Sequence, residues 1–255
     1  MKILRFILIF ALLFSILSVN ASAYNPTEKI NWYFKQTAKN QPPEILGRSP
    51  LPKESGAIYL GDESKKTIYL TFDAGYSNEN LENVLDTLKN HQVQGAFFIL
   101  PGIIKNSPET VKRMIDEGHL VCNHSTTHGD MSKITDIEAF KTELSTVEEL
   151  YRKATGQEMA KFFRPPQGSF SVKTLEFCNK LGYKPVFWSF AYADWDNKKQ
   201  PDVEKAKNKI LSSAHNGMVM LLHPTSKTNA LILDDVITQL KEQGYSFGCL
   251  TDFAA

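Results

Sequence analysis

The sequence has little cysteine, almost no net charge and, past its first two dozen residues, no long apolar run. Three cysteines in 255 residues, Cys122, Cys178 and Cys249, are too few and odd in number for a disulfide scaffold. They read as core residues, including Cys122, although it lies two residues before His124. Twenty-nine basic and 28 acidic residues leave a formal charge of +1. That balance carries no electrostatic footprint for nucleic acid, so a neutral or mixed-charge polymer is the expected partner. No internal repeat, low-complexity segment or Gly-x-Ser-x-Gly elbow occurs. Solenoids, biased linkers and that class of serine hydrolase are therefore set aside.

The one long apolar run is at the start. Lys2 and Arg5 precede an almost wholly apolar stretch, residues 6–17, and Ala21-Ser22-Ala23 is a small-x-small cleavage pattern. This is the layout of a secretory signal peptide over residues 1–23. The alternative, an uncleaved anchor, is disfavoured because the run falls short of the ~20 residues that span a bilayer. Cleavage removes two basic residues and no acidic one, leaving 27 against 28 and a charge of −1. The mature chain is expected to be secreted, monomeric and without a stable membrane span.

Residues 24–66 are weakly patterned, with turn chemistry at Pro42-Pro43, Ser49-Pro50-Leu51-Pro52 and Gly61-Asp62. They read as an N-terminal extension packed on the domain, with 58–60 as a candidate edge strand. From Thr67 the pattern is regular. Strand candidates lie at 67–72, 95–100, 119–123, 162–164, 185–190, 218–222 and 246–250. Between them run helical stripes such as Leu81/Val84/Leu85/Leu88 and Phe140/Leu144/Val147/Tyr151, the second closed by Gly156. Seven strands alternating with five or six helices imply an α/β domain of parallel βαβ units over 67–255. The pattern leaves two architectures open, a (β/α) barrel and a doubly wound open sheet.

The chemistry-bearing residues fall just after the strand candidates: Asp73, the pair His124 and His128, Arg164, Asp194 and His223. In parallel α/β folds the C-terminal strand ends share one face, and that face carries the active site. Singly, each residue has an ordinary explanation. Asp73 suits an Asx-turn or helix cap, and the Arg164-Pro165-Pro166 loop suits a solvated arginine. His124 and His128, four apart, are expected to meet on one side of a helical turn as ligands for a divalent metal.

The short runs TFDAGY (71–76), HSTTH (124–128), RPPQGSFS (164–171), DW (194–195) and LLHP (221–224) occur in this order. Together they resemble the five motifs of the polysaccharide deacetylase family, the NodB-homology carbohydrate esterases, over about residues 58–253. The resemblance implies a distorted (β/α) barrel of about seven parallel strands. It implies Asp73 as catalytic base, Arg164 orienting it, His223 as general acid with Asp194 as its partner, and His124 and His128 as metal ligands. Zn²⁺ is the implied ion, with Co²⁺, Ni²⁺ or Mn²⁺ as alternatives. One position departs: most members carry Asp, a third ligand, where Ala74 stands, which implies weaker metal binding.

Further runs, among them 66–73, 186–192 and 241–245, are similar to the members that de-N-acetylate N-acetylmuramic acid in peptidoglycan on the way to muramic δ-lactam. They imply a peptidoglycan glycan strand as partner and the cell wall or the spore intermembrane space as location. The alternatives are deacetylation of N-acetylglucosamine polymers (peptidoglycan or chitin oligomers) or of acetylated xylan, and a non-catalytic glycan-binding relative.

Overall fold

In Thr67–Ala74 (strand β4 below), Ile68, Leu70, Phe72 and Ala74 join the core shared with the helices, whereas Tyr69 belongs to a separate inner cluster. This two-residue alternation sorts the whole molecule, which a computed structural model describes over residues 25–46, 51 and 55–253. The signal peptide expected over 1–23 lies outside the described residues. Among those described, no helix is long and apolar enough to cross a membrane.

The strands are β1 (Ile30–Asn31), β2 (Tyr33–Lys35), β3 (Glu44–Leu46), β4 (Thr67–Ala74), β5 (Ala96–Ile99), β6 (Leu120–Asn123), β7 (Ala160–Phe163), β8 (Ser169–Phe170), β9 (Lys184–Pro185), β10 (Met218–Leu222) and β11 (Ser246–Gly248). The helices are α1 (Glu79–His91), α2 (Pro101–Asn106), α3 (Pro108–Asp116), α4 (Ile137–Thr155), α5 (Val172–Lys180), α6 (Val203–Ser213) and α7 (Lys227–Glu242). Seven strands form one all-parallel sheet in the order β10-β4-β5-β6-β7-β9, with β11 alongside the first residues of β4. Beyond β9 the chain returns to β10, where Phe190 bridges Met220 in parallel. The sheet therefore curls into a distorted barrel with a one-bridge seam, which decides between the two architectures the pattern left open.

Alternation places Ala96, Phe98, Cys122, Phe162 and Val219 inside the curl with Tyr69, while Phe97, Ile99, Met218 and Met220 face the helices. Continued past the strand ends, the same parity brings His124 and Arg164 to the inner side. Cys122 and Cys178 are buried free thiols, as core residues should be, and Cys249 is half-buried and also free.

Helix ends follow local chemistry. The side chains of Asn78, Asp136, Asp202 and Ser226 accept from the first-turn amides of α1, α4, α6 and α7. Gly156 ends α4 in the left-handed region. Two expectations need correction. The helix α2 escaped the pattern because its six residues are too few to show a helical repeat, and α6 because its inward face is narrow, burying only Ala206, Ile210 and Ser213. The strand expected over 185–190 is regular only at Lys184–Pro185. Beyond it, the carbonyls of Val186 and Phe187 accept from Arg164 and so serve a side chain.

Gly217 has φ +70°, and a Cβ there would lie 2.6 Å from the Gly61 carbonyl carbon, where the Gly61 amide donates to the Gly217 carbonyl. Gly156 has φ +75° but open space around it. Gly156→Ala should therefore cost about 1 kcal/mol, from backbone strain alone. Gly217→Ala should cost about 3 kcal/mol, because overpacking adds to the strain. Thermal unfolding of the two variants checks the ranking.

Candidate active site

At the C-terminal end of β4, Asp73 points inward with its side chain 11% exposed. Opposite, just past β7, Arg164 is wholly buried. Its Nη1 donates to Asp73 Oδ1 at 2.7 Å and its Nη2 to Thr71 Oγ1 at 2.7 Å. Thr71 in turn donates to the Met220 carbonyl at 2.7 Å. The guanidinium lies 4.2 Å from the Phe98 ring centroid. Burial alone would raise the Asp73 pKa, but the Arg164 charge, helped by His124 and His223, more than offsets it and holds the carboxyl below its ordinary 3.8. Asp73 is therefore a carboxylate at neutral pH, with Oδ2 left for another partner.

That partner is His124. Its Nδ1–H donates to the Arg164 carbonyl at 2.9 Å, so Nε2 carries a lone pair, and Nε2 lies 3.5 Å from Asp73 Oδ2. Burial lowers the His124 pKa to about 4, against the opposing pull of Asp73. A neutral imidazole lone pair thus faces a carboxylate oxygen, an arrangement that a shared cation relieves. The His128 ring is 5.0 Å from the His124 ring, and burial lowers its pKa too.

The two imidazoles meet, but not on a helical turn. Residues 124–128 are an irregular loop in which Ser125 (φ +70°) and His128 (φ +54°) are left-handed. The shape is imposed from outside: the Thr126 and Thr127 amides both donate to Glu143 Oε2 at 3.0 Å, and the Ser125 amide donates to Asn123 Oδ1 at 2.9 Å. With Ala74 supplying no donor, the described residues hold no group of three or more His, Cys, Asp or Glu side chains arranged for a metal. His124 and His128 fit a divalent ion as a two-imidazole set.

The second dyad closes the site from β10. His223 Nδ1–H donates to Asp194 Oδ1 at 2.8 Å, and the His223 amide donates to Asp194 Oδ2 at 2.8 Å. Asn229, from the first turn of α7, donates to Asp194 Oδ2 at 2.6 Å and to the His223 carbonyl at 3.0 Å, and accepts from the Tyr192 hydroxyl. Burial would lower the His223 pKa, but Asp194, through its hydrogen bond and charge, overrides it and leaves the pKa above 6.5. Asp73, His124, His128 and His223 line one cleft of about 590 Å³, within the range of small-ligand sites.

All six residues singled out in the sequence converge here. Their supports, Thr71, Glu143, Tyr192 and Asn229, went unremarked as site residues. Only position offered a signal: Asn229 is buried at the start of an amphipathic helix, where a polar residue needs a partner.

A depressed carboxylate and an elevated imidazole thus face one cleft beside two neutral histidines, a split of protonation states that general acid–base chemistry can use. The polysaccharide deacetylase family profile matches residues 60–186. The chain is 43% identical, over 89% of its length and 86% of the relative's, to the Bacillus subtilis peptidoglycan-N-acetylmuramic acid deacetylase PdaA. It superposes on the structure of Bacillus subtilis PdaA, a family 4 carbohydrate esterase, with a TM-score of 0.85 at 41% identity, covering 90% of this chain and 98% of that one. It also superposes on a CE4 family pseudoenzyme from Bacillus anthracis with a TM-score of 0.71 at 30% identity, covering 78% and 69% respectively. The chain belongs to the polysaccharide deacetylase family, hydrolases of the amide bond of N-acetyl groups.

Because Asp194 raises the His223 pKa, the charged imidazole stabilises the fold fully below its unfolded value near 6.5, and that contribution is lost as pH rises through the folded value. In Asp194→Asn the His223 titration, followed by NMR, should move to lower pH, and this part of the pH dependence of stability should vanish.

Proposed function

We propose that the protein hydrolytically de-N-acetylates N-acetylmuramic acid in peptidoglycan, as a step toward muramic δ-lactam. The observation that carries the reading is the placement of two oppositely tuned dyads, Asp73–Arg164 and His223–Asp194, around one cleft. The muramic substrate is supported by the 43% identity to a relative named for that activity. Such a substrate lies outside the cytoplasm, in keeping with the signal peptide read at residues 1–23; the spore intermembrane space is the proposed compartment.

In this reading Asp73 accepts the proton of the attacking water. Arg164 keeps it ionised and aims Oδ1, leaving Oδ2 toward the cleft. His223 is held with Nδ1 toward Asp194, so its Nε2 is the nitrogen available to donate a proton to the departing amine. His124 and His128 would hold the divalent ion, Zn²⁺ in first place. A bound ion of this kind polarises the acetamide carbonyl and makes water more acidic. His124 reserves its Nε2 lone pair for that role by committing Nδ1–H to the Arg164 carbonyl.

Asp73→Asn and His223→Ala should each lower kcat/KM for acetate release from stem-free glycan by about 10²–10⁴-fold, the usual weight of a general base or acid. Circular dichroism confirms that the variants are folded. Normal turnover in both would discard the assignment. Activity should fall on the alkaline side as pH passes the raised His223 pKa. Mass spectrometry of the freed amine separates muramic acid from glucosamine.

One competing reading has specific support: glycan binding without turnover, favoured by Ala74 and by the shared fold with a pseudoenzyme. It predicts binding with no acetate release under any metal. Ala74→Asp should tighten Zn²⁺ binding in calorimetry. An unchanged affinity would mean that His124 and His128 do not define the metal site.

A further inference from the structure

The family profile begins at residue 60, yet one wall of the cleft is built by residues before it. The strand β1 pairs antiparallel with β8, the continuation of the Arg164-Pro165-Pro166 loop. The next residue, Trp32, is fixed three ways. Its amide donates to the Gly168 carbonyl at 2.9 Å, its indole Nε1–H donates to the Trp188 carbonyl at 2.8 Å, and its ring stacks on Phe187 with centroids 4.6 Å apart. Gly168 is at φ +66°, and a Cβ there would meet the Trp188 ring at 2.8 Å and Trp32 Cβ at 3.0 Å. The strap and the loop are thus packed as one piece.

The anchoring has a consequence one residue on. Trp32 is buried, but Tyr33, at the start of β2, is 60% exposed and lines the cleft. Trp195 is the other large aromatic lining residue left so open, at 62%. Trp195 stands beside the reacting groups, its ring 6.2 Å from that of His223. Tyr33 makes no ring contact or hydrogen bond with Asp73, His124, His128 or His223 among the described residues. It lines the cleft without engaging the dyads, on a strap that Trp32 anchors. A rigid, exposed aromatic face suits the apolar C–H face of a pyranose.

We propose that Tyr33 is a sugar-stacking residue that binds a neighbouring ring of the glycan strand while another ring's acetamide occupies the dyads. Trp32 is the residue that positions it. This deepens the glycan reading above and rests on it: the site recognises a chain, and the N-terminal strap supplies the subsite that makes length matter.

The test compares the whole secreted chain with its Tyr33→Ala and Tyr33→Phe variants on stem-free peptidoglycan oligomers of two and of eight sugars. Acetate release gives KM and kcat. Calorimetry on the same octamer after chemical de-N-acetylation reads binding with no acetyl left to remove. Tyr33→Ala should weaken octamer binding and raise its KM by about tenfold, equivalent to about 1.4 kcal/mol, with a much smaller change in kcat. The loss on the disaccharide should be within about twofold, on the same scale, and Tyr33→Phe should behave as the parent. Equal losses at both lengths, no loss on the octamer, or a Phe variant as impaired as the Ala variant would each overturn the proposal. A parent that binds the octamer but releases no acetate removes the hydrolytic reading while leaving the stacking role standing. A parent that neither binds the octamer nor releases acetate from it removes both.

Discussion

A single buried cation holds this molecule's site and seam together. Arg164 is wholly enclosed, and its donors reach Asp73 and Thr71 on β4 and the carbonyls of Val186 and Phe187 beyond β9. Its face lies against Phe98 of β5. A guanidinium out of water is tolerated only when it is paired and its donors are spent. Here that requirement draws three separate stretches of chain to one point inside the curl. The same contact ionises Asp73 and takes two carbonyls out of the sheet ladder. Fixing that carboxylate and interrupting the strand after β9 are thus one event.

The barrel converts strand parity into chemistry. Below Arg164 the inner face is apolar, with Tyr69, Phe98, Cys122, Phe162 and Val219 filling the curl. At the upper rim the same inward positions become Asp73, His124 and Arg164. Water is excluded from below, which strengthens each electrostatic contact at the rim. It also explains why His124 is neutral: burial outweighs the neighbouring carboxylate and leaves an imidazole lone pair facing Asp73.

The His223 side is built on a different logic. His223 keeps partial access to the cleft, while Asp194 behind it is buried and satisfied by the His223 ring, the His223 amide and Asn229. Tyr192 then fixes Asn229. A carboxylate held this firmly need not reorganise when the imidazole gains its proton. The two dyads are therefore tuned apart by their surroundings: Asp73 by a buried cation, His223 by a buried anion.

Much of this was legible along the chain. Periodicity marked the helices with broad apolar faces, and strand ends marked Asp73, His124, Arg164 and His223, because hydrophobic pattern and local polarity are properties of short segments. The narrow-faced α6, the left-handed loop around His128 and the broken strand after Pro185 were not legible, since each is shaped by partners far away: Glu143 for the loop, Arg164 for the strand. The sequence by itself determined the alternation of strands and helices and the polarity of their ends. The tertiary structure alone decided that the sheet closes through Phe190 and Met220, that Arg164 meets a carboxylate 91 residues earlier, and that Trp32 and Tyr33 wall the cleft. Contacts between distant residues depend on how the sheet curls, and that follows from packing its inner face as a whole.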